Sequence, residues 1–199
     1  MFGPNNTIRV FIAIDPPEEV KGALANTINE LEQAIPDVVR WVRPTGIHLT
    51  LKFLGDVNTE VVDGGIPAAM GQALEDFQDE KFQLSLSDLG IFGDQRRPRV
   101  IWAGVQGDLD SLEKLQRSVD DAVFKLGFSR EKAPFRPHLT LGRVRDNVSP
   151  SARRPMAEAI FNREPLPSIA WDVDAIHLIH SNLRPEGATY TTLGSSYLS

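Results

Sequence analysis

Three observations predict an α+β fold with antiparallel or mixed sheets. Segments of alternating polarity outnumber segments of helical periodicity. The two kinds alternate only loosely, without the regular succession of a doubly wound parallel sheet. The chain is 199 residues long, 41% hydrophobic and 24% charged, which fits one domain or two closely packed lobes and excludes a coiled-coil rod or long disorder. No linker or low-complexity stretch divides residues 1–199, so a single domain is expected.

Ile8, Val10, Ile12 and Ile14 alternate with Arg9 and Phe11, the pattern of a strand. Asp15-Pro16-Pro17-Glu18-Glu19 then reads as a capped helix start. Val20, Leu24, Ile28, Leu31 and Ile35 form the apolar stripe of that helix. A second helix begins after Asp108 or Asp110. Its stripe is Leu112, Leu115, Val119, Val123 and Leu126, and Gly127 stops it. Further strands are expected at 39–42, 47–54, 82–86, 100–105, 136–144, 171–179 and 188–193. A helix is expected over 68–77, its front broken by Gly64-Gly65 and Pro67, and a short one over 149–161.

The chain has no cysteine, which excludes disulfide scaffolds, thiolate metal sites and cysteine nucleophiles. A formal net charge of −6 argues against a surface that coats nucleic acid indiscriminately, yet allows a local basic cleft. The N-terminus lacks the basic start and continuous apolar run of a signal peptide, and no apolar run approaches a membrane span. A soluble, cytoplasmic protein is expected.

The chemistry lies in a repeat. His48-Leu49-Thr50-Leu51 recurs as His138-Leu139-Thr140-Leu141, 90 positions later, and an Arg-Pro pair precedes each copy (Arg43-Pro44 and Arg136-Pro137). Strand alternation puts Ile47, Leu49, Leu51 and Phe53 on one face and His48, Thr50 and Lys52 on the other. In the second copy Arg136, His138 and Thr140 share the polar face. Only four histidines exist, and two occupy equivalent positions. A duplication kept for packing alone could retain the leucines, but has less reason to retain both polar residues. Two such strands side by side would place two imidazoles and two hydroxyls around one cavity. One imidazole could take a proton from an attacking oxygen while the other gives one to a leaving oxygen, and the hydroxyls could donate to phosphate oxygens. No metal is needed.

Charge supports an anionic ligand. Residues 40–52 hold Arg40, Arg43 and Lys52 and no acid, and residues 130–145 hold five basic residues against Glu131 alone. Arg96-Arg97-Pro98-Arg99 forms a further basic turn, a candidate lip for a nucleic-acid backbone. His177 and His180 have a metal-like spacing, but in a strand they point to opposite faces, so a structural or surface role is expected. No Gly-rich phosphate loop is present.

These motifs occur within a longer set of strings. The others are Arg9-Val10-Phe11-Ile12-Ala13-Ile14, Trp41-Val42-Arg43-Pro44, Lys52-Phe53-Leu54-Gly55, Phe135-Arg136-Pro137, Gly142-Arg143, Leu178 through Ser181-Asn182-Leu183, and Gly187 with Tyr190. The set resembles the bacterial and archaeal RNA 2′,3′-cyclic phosphodiesterases, historically called 2′-5′ RNA ligases, of the 2H phosphoesterase superfamily. The resemblance implies a bilobal, pseudo-symmetric fold with flanking helices and a central cleft. It implies hydrolysis of a terminal 2′,3′-cyclic phosphate to a 2′-phosphate, with His48 as proton donor and His138 as proton acceptor. Thr50 and Thr140 would hold the phosphate, with Lys52 and Arg143 as further contacts. The residues themselves leave acid and base unassigned, because the copies are nearly symmetric. Expected partners are RNA 3′ ends with a cyclic phosphate, tRNA fragments or cyclic nucleotides, met by a monomer without cofactor, metal or membrane. An RNA-end binding module without turnover, and ligation of tRNA halves through a 2′-5′ bond, are the alternatives.

Overall fold

The computed structural model describes every residue except 1–6, 78–79, 95–96, 147 and 185–186, together with the side chains of 150–154 and 157. Nine strands form one sheet: β1 (Thr7–Ile14), β2 (Val39–Trp41), β3 (Leu49–Asn58), β4 (Phe82–Asp94), β5 (Arg97–Gly107), β6 (His138–Val144), β7 (Ala170–Val173), β8 (Ala175–Arg184) and β9 (Gly187–Tyr197). Their order is β7-β4-β5-β6-β3-β1-β8-β9, with β2 also paired to β6, and every pairing is antiparallel.

The sheet is two equivalent halves joined at its centre. A strand–helix–strand unit, β1–α1 (Glu18–Ala34)–β3, recurs as β5–α3 (Leu109–Phe124)–β6. The halves meet where Leu49 pairs with Leu139. At the outer ends, β7 runs into β8 through Asp174 alone, although the two strands lie far apart in the sheet order. The sheet must therefore curl until its two ends approach each other. This corrects the single strand expected over 171–179. Trp171 and Val173 serve one half and Ile176 and Leu178 the other, and all four enter the same apolar core.

Both predicted helices bury their stripes. Val20, Leu24, Leu112 and Leu115 are completely buried against strand residues Ile12, Leu49 and Leu139. Asp108 caps α3, its Oδ1 accepting from Ser111 N at 3.0 Å, and that bond holds its carboxyl below the usual range. Asp15, by contrast, does not cap α1. That helix starts after Pro17, and Asp15 accepts from Lys21 Nζ at 3.0 Å instead. Leu126 lies beyond α3 and is exposed, while Gly127 takes a positive φ of 94° as the stop.

The break expected at Gly64-Gly65 and Pro67 is absent. Residues Val61–Gly65 make one wide π turn that leads directly into α2 (Ile66–Phe77). Its register carries Pro67 past the carbonyl that its ring would strike in an α-helix. The helix expected over 149–161 is α4 (Pro150–Phe161). Strand β4 runs eight residues past the expected Leu86. It crosses Gly90, where an added Cβ would collide with the Trp102 ring of β5.

One irregularity decides which side chains face the site. Ile12 pairs with Lys52 but Ala13 with Thr50, leaving Leu51 as an extra residue in β3. Ile101 pairs with Gly142 but Trp102 with Thr140, leaving Leu141 extra in β6. Each copy of the motif thus carries a β-bulge at the same place, and a bulge reverses the facing of the residues beyond it. From His48 to Leu54 and from His138 to Val144 the order of buried, half-buried and exposed residues is identical.

Candidate active site

His48 and His138 flank the Leu49–Leu139 pair at the seam of the two halves. A short 3₁₀ turn, Pro44–Gly46, delivers His48, and the backbone at Arg136 delivers His138. Each ring is held in the same way. His48 Nδ1–H donates to the Gly46 carbonyl at 2.8 Å, and His138 Nδ1–H donates to the Arg136 carbonyl at 2.7 Å. These bonds select the tautomer that leaves Nε2 as the free nitrogen of both rings.

Burial lowers the pKa of both histidines. For His48 the carbonyl of Gly46 and the charge of Asp15 oppose this, while His138 and Arg143 add to it. For His138 the Arg136 carbonyl opposes it and Arg143 adds to it. His48 thus feels the charges of His138 and Arg143, both carried on the opposite half of the molecule. Thr50 and Thr140 are half-buried, two residues beyond each histidine and before each bulge, so they share the histidines' face.

Lys52 does not join them. The bulge turns it inward, where it is 3% exposed. Its Nζ donates to Asp120 Oδ1 of α3 at 2.5 Å and to the Ser129 carbonyl at 2.6 Å, with Glu131 at 3.7 Å. The alternation expected from the sequence is therefore corrected at this point. Phe53, placed with the core leucines, is instead 63% exposed and pairs across the sheet with Phe11. Arg143 occupies the position in β6 that Phe53 occupies in β3, so the same bulge turns it outward. Its charge reaches His48, His138 and Tyr190.

Sequence alternation did not assign the rings around the histidines to the site. Phe11 lies 4.4 Å from the His48 ring, and Tyr190 meets it edge-on at 5.0 Å. Phe92 meets His138 edge-on at 4.7 Å, with Trp102 at 6.3 Å. Gly46 lies so close beneath Tyr190 that a Cβ there would come within 2.8 Å of its ring. These aromatics come from strands remote in sequence from the motifs. The visible signals are the out-of-phase Phe11 among isoleucines and the place of Tyr190 among the strings that carry the family resemblance. His177 donates or accepts at Ser195 Oγ, 2.8 Å away. Of the basic turn, Arg96 lies outside the described residues, and Arg99 borders a basic groove beside the cleft. Among the described residues, no three His, Asp or Glu side chains gather as a metal site requires, and no helix is long and apolar enough to cross a membrane.

The arrangement leaves two Nε2 atoms at the seam of the two halves, with two half-buried hydroxyls and the exposed Arg143 on the same strands. The chain is similar to known proteins in sequence and in fold. The chain is 32% identical over 186 residues to the RNA 2′,3′-cyclic phosphodiesterase of Methanothermobacter thermautotrophicus, covering 94% of this chain and 96% of that one. It is 33% identical over 186 residues to the enzyme of the same name from Thermotoga maritima, covering 94% and 93%. A Thermus thermophilus protein of known structure superposes with a TM-score of 0.75 at 28% identity, covering 96% of this chain and 98% of that one. E. coli LigT in complex with NADP+ superposes at 0.73 and 26%, covering 98% and 99%. The model of the 2′-5′ RNA ligase superfamily matches residues 9–184, and the chain belongs to that family.

Proposed function

We propose that the protein hydrolyses 2′,3′-cyclic phosphate at RNA ends to a 2′-phosphate, by acid–base catalysis between two histidines without metal. The observation that carries this is the matched tethering of His48 and His138, which leaves two Nε2 atoms free at one seam. Hydrolysis needs two proton transfers, one from the attacking water and one to the departing 3′ oxygen. Two imidazoles in opposite protonation states supply both. His138 takes the water proton and His48 protonates the 3′ oxygen. Thr50, Thr140 and Arg143 stabilise the charge on the nonbridging oxygens. The relatives carrying the phosphodiesterase name support this reading. The direct test is an RNA ending in 2′,3′-cyclic phosphate incubated with excess EDTA. A 2′-phosphate end is the expected product. A 3′-phosphate end, or turnover that only zinc or manganese restores, would overturn the reading.

The pKa directions give a pH signature. Both histidines lie below the ordinary 6.5 in the free protein, chiefly through burial. As pH rises through these lowered values, the form with one protonated imidazole is lost. The kcat/KM profile should therefore peak below pH 6.5. A bound phosphate anion raises both values, so the kcat profile should peak at higher pH. Coincident optima above pH 7 for both parameters would contradict this assignment.

A further inference from the structure

We propose that a basic groove beside the cleft, formed by Arg40, Arg99 and Arg145, binds the phosphodiester backbone of the single strand upstream of the reacting end. This rests on the function proposed above and assigns a site for the body of the substrate. The groove encloses about 730 Å³ and is lined by these arginines with Phe92, Val100, Arg143, Val144 and Asp146. Strand register explains its chemistry. Phe92 pairs with Val100, Val100 with Arg143, and Arg143 with Arg40, so one row crosses four strands on one face. Residues paired directly across antiparallel strands point to the same side, and like charges placed so repel. Arg40 and Arg143 are such a pair. Among the described residues, no carboxylate lies in ion-pair range of Arg40, Arg99, Arg143 or Arg145. Asp146 is the one acid in the lining. A row of repelling, unpaired guanidinium groups in an acidic protein is what a polyanion would relieve.

The groove is continuous with the reacting site through Phe92, which touches His138, and through Arg143, which feels both histidines. Arg145 lies seven residues from His138 along the chain, too far for a single nucleotide on the histidines to span. The other half offers no equivalent. Where the second half has Val100 and Arg143, the first has the pair Phe11 and Phe53. The arginine side can neutralise successive phosphates. The aromatic ring of Phe92 among the arginines favours a nucleic acid over an acidic peptide, because a base can stack there.

The test uses the full chain and a variant with Arg40→Gln, Arg99→Gln and Arg145→Gln, all exposed positions. Two substrates are compared, a 2′,3′-cyclic mononucleotide and a six-nucleotide RNA with the same end. Anisotropy of a labelled six-nucleotide RNA ending in 2′-phosphate reads binding without turnover. The wild type should favour the oligonucleotide. The variant should lose about 10-fold in its kcat/KM, mostly through KM, with mononucleotide turnover unchanged. The salt slope of binding should fall by about 2, at ~0.7 for each of three contacts. An unchanged slope and an unchanged oligonucleotide advantage would overturn the proposal. So would displacement of the RNA by an oligoglutamate of equal charge as readily as by unlabelled RNA. If neither substrate turns over but binding still depends on the three arginines, the proposed hydrolysis fails and the groove stands.

Discussion

His48→Ala and His138→Ala should each lower kcat/KM by about 10²–10⁴-fold, the usual worth of a positioned acid or base. The loss should fall mainly on kcat. On the proposed mechanism neither histidine is the principal ground-state anchor, since Arg143 and the two threonine hydroxyls remain. The double variant should be little slower than the worse single one. On the proposed mechanism the two rings act on one transition state, and groups that act as a unit do not add. Neither substitution should unfold the chain, because each side chain is half-buried at the cleft and bonded only to a local carbonyl. A single-turnover assay with a cyclic-phosphate RNA, alongside thermal melts, checks both statements. A loss below 10-fold for either variant would remove that residue from the chemistry.

Lys52→Met should lower stability strongly. The ammonium is 3% exposed and satisfies Asp120 and the Ser129 carbonyl at once. Removing it leaves a mostly buried carboxylate facing apolar surroundings, which costs about 3–5 kcal/mol. Arg130, 3.9 Å from Asp120 and half-exposed, can compensate only in part. Replacing both partners, Lys52→Met with Asp120→Leu, should recover most of the loss, because the orphaned charge is gone. Urea denaturation measures this directly. The catalytic prediction is the reverse. At a temperature well below the melt, Lys52→Met should keep kcat and KM within about 10-fold, as expected for a residue that braces α3 and the Ser129 loop rather than phosphate. Unchanged stability with a greatly raised KM would return Lys52 to the substrate.

The contrast between Lys52 and Arg143 shows how far the sequence could be read. Period-two alternation correctly put His48 with Thr50 and His138 with Thr140, since both pairs precede the bulge. Past Leu51 and Leu141 the phase reverses; Gly142 flanks the second bulge, but the first has no neighbouring glycine or proline to announce it. Alternation therefore placed Lys52 at the site and Phe53 in the core, the opposite of the structure. Arg143, which alternation alone would turn inward, was named for the site from the family resemblance. The break at Asp174 escaped for another reason: both flanking segments have strand character, and only the curl of the sheet sends them to different partners. The aromatic neighbours of the histidines were out of reach for the same reason. Phe92 and Tyr190 lie 46 and 142 residues from their partners His138 and His48, and tertiary pairing alone brings them together.

Opposite proton roles for two equivalent histidines are the centre of this account, and a substrate with sulfur at the bridging 3′ position tests them. A thiolate departs without a proton, so a variant lacking the acid should recover with this substrate and one lacking the base should not. His48→Ala should regain most of its lost rate relative to wild type, while His138→Ala should stay as slow as on the oxygen substrate. Rescue of His138→Ala instead would exchange the two roles. Rescue of neither would contradict the mechanism, leaving both imidazoles as binding groups that hold the phosphate without moving a proton to its leaving oxygen.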